Sequence, residues 1–149
     1  MSNANRAVTC FKQGFSCSQA ILSTYGETFG LQRDAALRVA GAFGAGMGRM
    51  GLTCGAVTGA FMVIGLKYAK TAAEDEETKE KAYALVSEFC KRFHSIHGSI
   101  ACRELLGCDI STEDGLARAR NERLFELRCP EFVSEAAEIL DEMLGHTIT

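Results

Sequence analysis

The sequence predicts an all-α fold, a single compact domain of about six to eight helices around a central apolar helix. Three observations predict it. Apolar residues recur at one-turn spacing along most of the chain, and no stretch sustains the alternation of a strand. The composition is 47% hydrophobic with one proline in 149 residues. No repeat or linker divides the chain, so we expect one helical domain over residues 1–149.

The first half of the chain predicts four helices. A short apolar stripe over residues 4–11 indicates the first. Ser16 and Gln19 have the spacing of a capping box, so the second helix should begin directly after Ser16. The third covers about 31–43. The fourth, over about 53–68, is strongly apolar and is the predicted central helix.

The second half predicts four more helices. Residues 71–98 form the clearest amphipathic pattern, with an acidic start and a basic end that suit the helix dipole. A short helix should follow Ser99. Ser111 and Asp114 indicate the cap of the next helix. Pro130 is well placed as the first residue of the last helix.

Charge and hydropathy exclude several function classes. The net charge of −3 supplies no basic field, so nucleic acid is not an expected partner. The uncharged run 56–66 is about half of a membrane span, which needs roughly 20 residues. Residues 46–51 spell G-x-G-x-x-G, but no strand pattern precedes them, as a dinucleotide-binding loop would need. The first 15 residues lack the pattern of a signal peptide, and we expect a cytoplasmic protein.

Seven cysteines are many for this length, and in a reducing compartment they point to metal binding or redox chemistry. Four of them map to predicted helix N-termini: Cys17, Cys54, Cys102 and Cys129. The unpaired N–H groups and the dipole of a first helical turn lower the pKa of a thiol and favour the thiolate. Arg49 and Arg103, near two of these cysteines in sequence, would add positive charge. We therefore expect a pocket that stabilises thiolates.

The remaining candidates have more ordinary interpretations. Cys54 alone would be read as a small buried core residue, with Gly55 and Gly59 allowing neighbouring helices to approach. Cys90 flanks an apolar stripe and is expected to be a buried structural thiol. Cys108 follows a loop glycine and is a candidate resolving thiol or substitute ligand. No C-x-x-C occurs, which excludes a thioredoxin-like active site.

The order of these cysteine motifs resembles the C_GCAxxG_C_C family of redox-active proteins. The matching elements are Cys17-Ser18-Gln19-Ala20, Cys54-Gly55-Ala56-Val57-Thr58-Gly59, Cys102-Arg103-Glu104-Leu105-Leu106-Gly107 and Cys129. The central element departs from the family motif, because Thr53 precedes the cysteine and the closing glycine falls one position late. The resemblance implies an all-helical domain with these four cysteines as its functional residues. A related module in split-Soret cytochromes implies an iron–sulfur centre.

Three functions follow as hypotheses. The first is an iron–sulfur protein for electron transfer or redox sensing, with Cys17, Cys54, Cys102 and Cys129 as ligands. The second is a metal-free protein in which pairs of the same cysteines exchange with disulfides. The third is an interaction protein held by structural zinc. A redox partner protein is expected and a homo-oligomer is an option, while no acid–base constellation assigns an enzymatic reaction.

Overall fold

The computed structural model describes residues 1–145, which contain eight α-helices and no strand. The helices are α1 (Asn3–Lys12), α2 (Cys17–Gly26), α3 (Arg33–Ala40), α4 (Gly55–Tyr68), α5 (Glu76–His97), α6 (Cys102–Leu106), α7 (Glu113–Asn121) and α8 (Leu124–Leu144). A 3-10 turn at Glu27–Phe29 extends α2. The all-α prediction is confirmed. The predicted domain also includes residues 146–149, which lie outside the described part.

Helices α2 and α4 occupy the centre of the main core. Every residue of α2 except Gln19 is buried, and α4 buries its first six residues together with Val63 and Ile64. The two helices approach closely at Gly59, where an added Cβ would lie 3.0 Å from Ile21 Cβ. The sequence predicted the central role of α4 and the packing role of Gly59, and both are confirmed.

The long helices α5 and α8 cover this centre. Helix α5 contributes the fully buried rings of Phe89 and Phe93, which stack at 6.1 Å between ring centroids. The Tyr25 hydroxyl of α2 lies within hydrogen-bonding distance of the Ala137 carbonyl, at 2.9 Å, and of Asp141 Oδ1, at 2.8 Å. These bonds attach the central helix to α8, so the core is fixed by directional contacts as well as by apolar burial.

A second, smaller core lies beneath α6, α7 and the start of α8. Its buried members are Cys102, Leu106, Cys108, Ile110, Ala119, Leu124 and Cys129. The main core contains Cys17 and Cys54. The four predicted site cysteines are therefore divided equally between two apolar clusters.

The predicted start of the last helix and the predicted cap of α7 are wrong. The last helix begins at Leu124 rather than at Pro130, so Cys129 lies inside α8 and not at a helix N-terminus. The interruption before α8 is Arg123, whose left-handed backbone (φ 56°) ends the preceding segment. Thr112, rather than Ser111, caps α7 by accepting from the Gly115 N–H.

Candidate functional site

One cavity of about 480 Å³ is lined by Cys17, Cys54, Cys102 and Cys129 together. Each cysteine is buried, and each comes from a different part of the chain: α2, the residue before α4, α6 and α8. Phe11 and Phe132 are among the apolar residues that complete the wall. The fold thus brings the four sequence-predicted cysteines to one place.

A capping box fixes the position of Cys17. Ser16 Oγ accepts a hydrogen bond from the Gln19 N–H, and Gln19 Oε1 accepts from the Ser16 N–H at 2.9 Å. Gln19 Nε2 also donates to the Leu37 carbonyl at 2.9 Å. These bonds set the first turn of α2, and Cys17 is its first residue. The start predicted from the sequence is confirmed.

A short antiparallel pairing places Cys54 beside Cys102. Thr53 and Ala101 form an isolated bridge. On either side of it, the Cys54 N–H donates to the Ile100 carbonyl at 2.8 Å and the Cys102 N–H donates to the Leu52 carbonyl. Helices α4 and α6 consequently start next to each other. Cys54 itself is the N-cap residue of α4, one position earlier in the helix than the sequence predicted.

The segment before Cys54 contains a left-handed helical turn. Five consecutive residues have φ between 57° and 69°: Ala45, Gly46, Met47, Gly48 and Arg49. The Met47 N–H donates to the Phe43 carbonyl and the Gly48 N–H to the Gly44 carbonyl, at 3.1 and 2.8 Å. Three members are not glycine, and each costs about 1–2 kcal/mol in this conformation. Gly51, two residues beyond the turn, also has a positive φ of 70°, and the sequence did not predict the continuous turn.

Contacts with α6 hold this turn in place. Arg103 Nε donates to the Gly51 carbonyl at 3.1 Å, and its Nη2 donates to the Met50 carbonyl at 2.9 Å. Gly46 lies so close that a Cβ there would be 2.8 Å from Cys102 Cβ. Arg103 therefore acts mainly through these hydrogen bonds, because its charge does not outweigh the burial that raises the pKa of Cys102.

Hydrogen bonds make Cys17 the most acidic thiol of the site. The pKa of Cys17 is lowered to about 7, first because the Cys54 thiol donates to its sulfur, and further because the Ala45, Cys17 and Ser18 N–H groups donate to it. Burial opposes this effect but is the smaller influence. The same bond and burial raise the pKa of Cys54 well above its ordinary value. Near neutral pH Cys17 is therefore partly deprotonated, while Cys54 remains a thiol.

The other two cysteines have raised pKa values. Burial, followed by the charge on Cys17, raises the pKa of Cys102 to about 12. The pKa of Cys129 is raised by burial and by the charges on Cys17 and Cys102. One negative charge on Cys17 thus disfavours a second within the cavity. The sequence predicted a pocket that stabilises thiolates, but of the four thiols only Cys17 has a lowered pKa.

The cavity supplies sulfur donors but no ligand set for a single metal ion. Throughout residues 1–145, no three His, Cys, Asp or Glu side chains are grouped to hold one. All seven cysteines are free thiols. The side chains as placed therefore form no ready-made metal site, although four cysteines around one cavity have the donor chemistry that structural zinc and iron–sulfur centres share.

The predicted accessory residues have different roles. Gly55 touches the site directly, because a Cβ there would lie 2.8 Å from Cys17 Sγ. Arg49 lines the cavity and is exposed. Cys108 is absent from the cavity wall and donates to the Gly115 carbonyl at 3.6 Å within the smaller core. Cys90 is only half-buried and faces a shallow surface groove beside His94.

Sequence reasoning missed the charged residues of α7 and α8 at the cavity. Arg120 and Glu126 line it, together with Phe125. Arg120 lies in the exposed last turn of α7, where a basic residue suits the helix dipole, so nothing in the sequence separates it from an ordinary surface residue. Only the packing of α7 against α8 places it at the cavity.

An all-α chain in which four buried cysteines line one cavity is a helical thiol protein. A family model described as "Putative redox-active protein (C_GCAxxG_C_C)" matches residues 15–143, and the chain belongs to that family. Redox activity is what the family suggests for it. No curated protein and no solved structure matches the chain. None of the helices within residues 1–145 is long and apolar enough to cross a membrane.

Proposed function

We propose that this chain is a metal-free thiol–disulfide redox protein in which Cys17 and Cys54 alternate between dithiol and disulfide. The placement of the two side chains carries the proposal: Cys17 and Cys54 line one cavity, and Cys17 Sγ lies against Gly55, the residue next to Cys54. Each thiol is also the largest influence on the pKa of the other, lowering that of Cys17 and raising that of Cys54, as disulfide exchange requires of an attacking and a resolving thiol. Membership of a redox-active family supports the same chemistry. Of the hypotheses drawn from the sequence, we therefore prefer the metal-free thiol–disulfide function to the iron–sulfur function.

Cys17 is the attacking thiol in this scheme. A thiol exchanges fastest when its pKa is close to the ambient pH, since it is then both deprotonated and nucleophilic. The Cys17 thiolate attacks one sulfur of an oxidised partner, forming a mixed disulfide and releasing the other sulfur as a thiolate. Cys54 then attacks Cys17 Sγ in the mixed disulfide, and its proton passes to the second partner sulfur as that sulfur leaves. The products are the Cys17–Cys54 disulfide and a reduced partner.

The local backbone keeps Cys17 ready for attack. Three backbone N–H groups lower the pKa of Cys17: that of Ala45, in the strained turn, and those of Cys17 and Ser18, at the start of α2. Backbone donors of this kind stabilise a thiolate through fixed dipoles. Cys102 and Cys129 stay protonated beside it and do not compete as nucleophiles.

The shared cavity favours a second candidate. Cys17, Cys54, Cys102 and Cys129 would be the ligands of an iron–sulfur cluster, which would supply one-electron transfer when bound. That function requires all four sulfurs, whereas the disulfide function requires only the first two. The two candidates therefore differ in their dependence on Cys102 and Cys129.

The experiment compares single serine variants of the four cysteines after anaerobic purification. Mild oxidation of the wild type should consume two of the seven thiols, and peptide mapping should recover a Cys17–Cys54 disulfide. Cys102→Ser and Cys129→Ser should still form it, while Cys17→Ser and Cys54→Ser should not. Visible absorption and bound iron that disappear in all four variants would replace this proposal with the iron–sulfur candidate.

A further inference from the structure

Resting on the proposed function, we propose that the cavity admits a small disulfide bearing carboxylates or other anionic groups, and that Arg49 and Arg120 select for that charge. Both arginines line the cavity that contains Cys17, and neither belongs to the reacting pair. They are therefore specificity-determining residues rather than catalytic ones.

The dimensions of the site favour a small molecule over a protein surface. Its volume of about 480 Å³ lies in the usual range of small-ligand pockets, roughly 300–1,000 Å³. The Cys17 and Cys54 side chains are buried, so a flat protein surface would not reach their sulfurs. Phe11, Phe125 and Phe132 make part of the wall apolar, which suits the carbon chain of a dialkyl disulfide.

The charged residues at the cavity favour an anion. Arg49 and Arg120 are exposed, and across residues 1–145 neither has a carboxylate within salt-bridge distance. Glu126 also lines the cavity, but Arg123 Nε lies 3.3 Å from its carboxylate. The chain as a whole carries −3 and would repel an anion, so a preference for one must arise locally.

Three dialkyl disulfides of similar size test the charge preference: dithiodipropionate, hydroxyethyl disulfide and cystamine, which are anionic, neutral and cationic at neutral pH. In each reaction Cys17 displaces one thiolate from the probe, and Cys54 displaces the second from the mixed disulfide. Each probe gains two electrons and the protein loses two. At low ionic strength, dithiodipropionate should oxidise the wild type about tenfold faster than cystamine, and salt should reduce the ratio.

Charge-reversal variants assign the preference to the two arginines. Arg49→Glu and Arg120→Glu should each lower the ratio of dithiodipropionate to cystamine rates several-fold, about as expected for one charge near a binding site. The double variant should abolish or invert the preference. Arg38→Glu makes the same charge change on α3, away from the cavity, and should leave the ratio near that of the wild type. The rate with neutral hydroxyethyl disulfide serves as the reference by which the rates with the two charged probes are divided, and circular dichroism checks that each variant is folded.

The outcomes separate this inference from the proposed function. Equal rates for the three probes, or a preference that survives in the double variant, would overturn the role of the arginines and leave the disulfide chemistry intact. If no probe produces a Cys17–Cys54 disulfide, both proposals fail.

Discussion

Cys17 and Cys102 each occupy the first position of a helix and line the same cavity, yet their pKa values are shifted in opposite directions. The Cys17 sulfur receives hydrogen bonds from the Cys54 thiol and from backbone N–H groups, led by that of Ala45. For Cys102, burial and nearby negative charge dominate. The comparison teaches that a helix N-terminus does not by itself make a reactive thiol; the donors that reach the sulfur decide its pKa.

Removing Cys17 should have the largest effect of any change at the site. Cys17→Ser should lower the rate of protein oxidation by small disulfides at least about a hundredfold, because no other cavity thiol is deprotonated near neutral pH. Cys102→Ser should lower it less than about threefold, within the ordinary effect of a nearby substitution. Stopped-flow measurement of thiol loss compares the two. Similar reductions in the oxidation rate of both variants would mean that Cys17 and Cys102 contribute equally to the reaction.

Substituting Gly55 should disturb the Cys17 side of the cavity alone. In Gly55→Ala the new methyl would lie 2.8 Å from Cys17 Sγ, so the sulfur must move away from its donors. We expect a rise in the Cys17 pKa and a destabilisation of about 1–3 kcal/mol from overpacking.

The matched control lies in the same helix. Gly65 has open space where a Cβ would be placed, so Gly65→Ala should increase the free energy of unfolding by about 0.5–1 kcal/mol and leave the Cys17 pKa unchanged. Urea unfolding and thiol titration measure both effects. Equal behaviour of the two variants would show that Gly55 does not confine the Cys17 sulfur.

A smaller effect is expected from relaxing the left-handed turn. Ala45→Gly removes a Cβ from a residue with φ 57° and retains the N–H that reaches Cys17. Stability should rise by up to about 1 kcal/mol, since the conformational relief exceeds the entropic cost of glycine. The Cys17 pKa should stay near 7. A lower melting temperature in this variant would contradict the presence of strain in the turn.

Local signals in the sequence sufficed for much of the fold. The capping box of Ser16 and Gln19 acts within one turn, and it correctly marks the start of α2. The amphipathic pattern correctly predicted α5, which Asp75 caps and Gly98 ends. The start of α8 was missed because Pro130 is a strong N-terminal signal, whereas the actual interruption is an arginine in a left-handed conformation.

The geometry of the site depends on contacts between residues that are far apart in the sequence, and local sequence patterns do not predict those contacts. The four cysteines could be chosen from their positions and from a family resemblance. The residues that directly follow the left-handed turn are held by Arg103, which is separated from Gly51 by 52 positions. The pKa difference between Cys17 and Cys102 depends on which hydrogen-bond donors reach each sulfur. Those contacts form only when the helices pack together.

The pH dependence of Cys17 alkylation in the wild type and in Cys54→Ala tests the central claim most directly. The claim is that the Cys54 thiol holds Cys17 as a thiolate. In the wild type, iodoacetamide labelling of Cys17 should have its midpoint near pH 7 and fall about tenfold per pH unit below it, as the thiolate is protonated. In Cys54→Ala the midpoint should move upward, because the largest stabilising bond is lost while burial remains. An unchanged midpoint in the variant, or a wild-type midpoint near 9, the ordinary value for a thiol, would contradict the account.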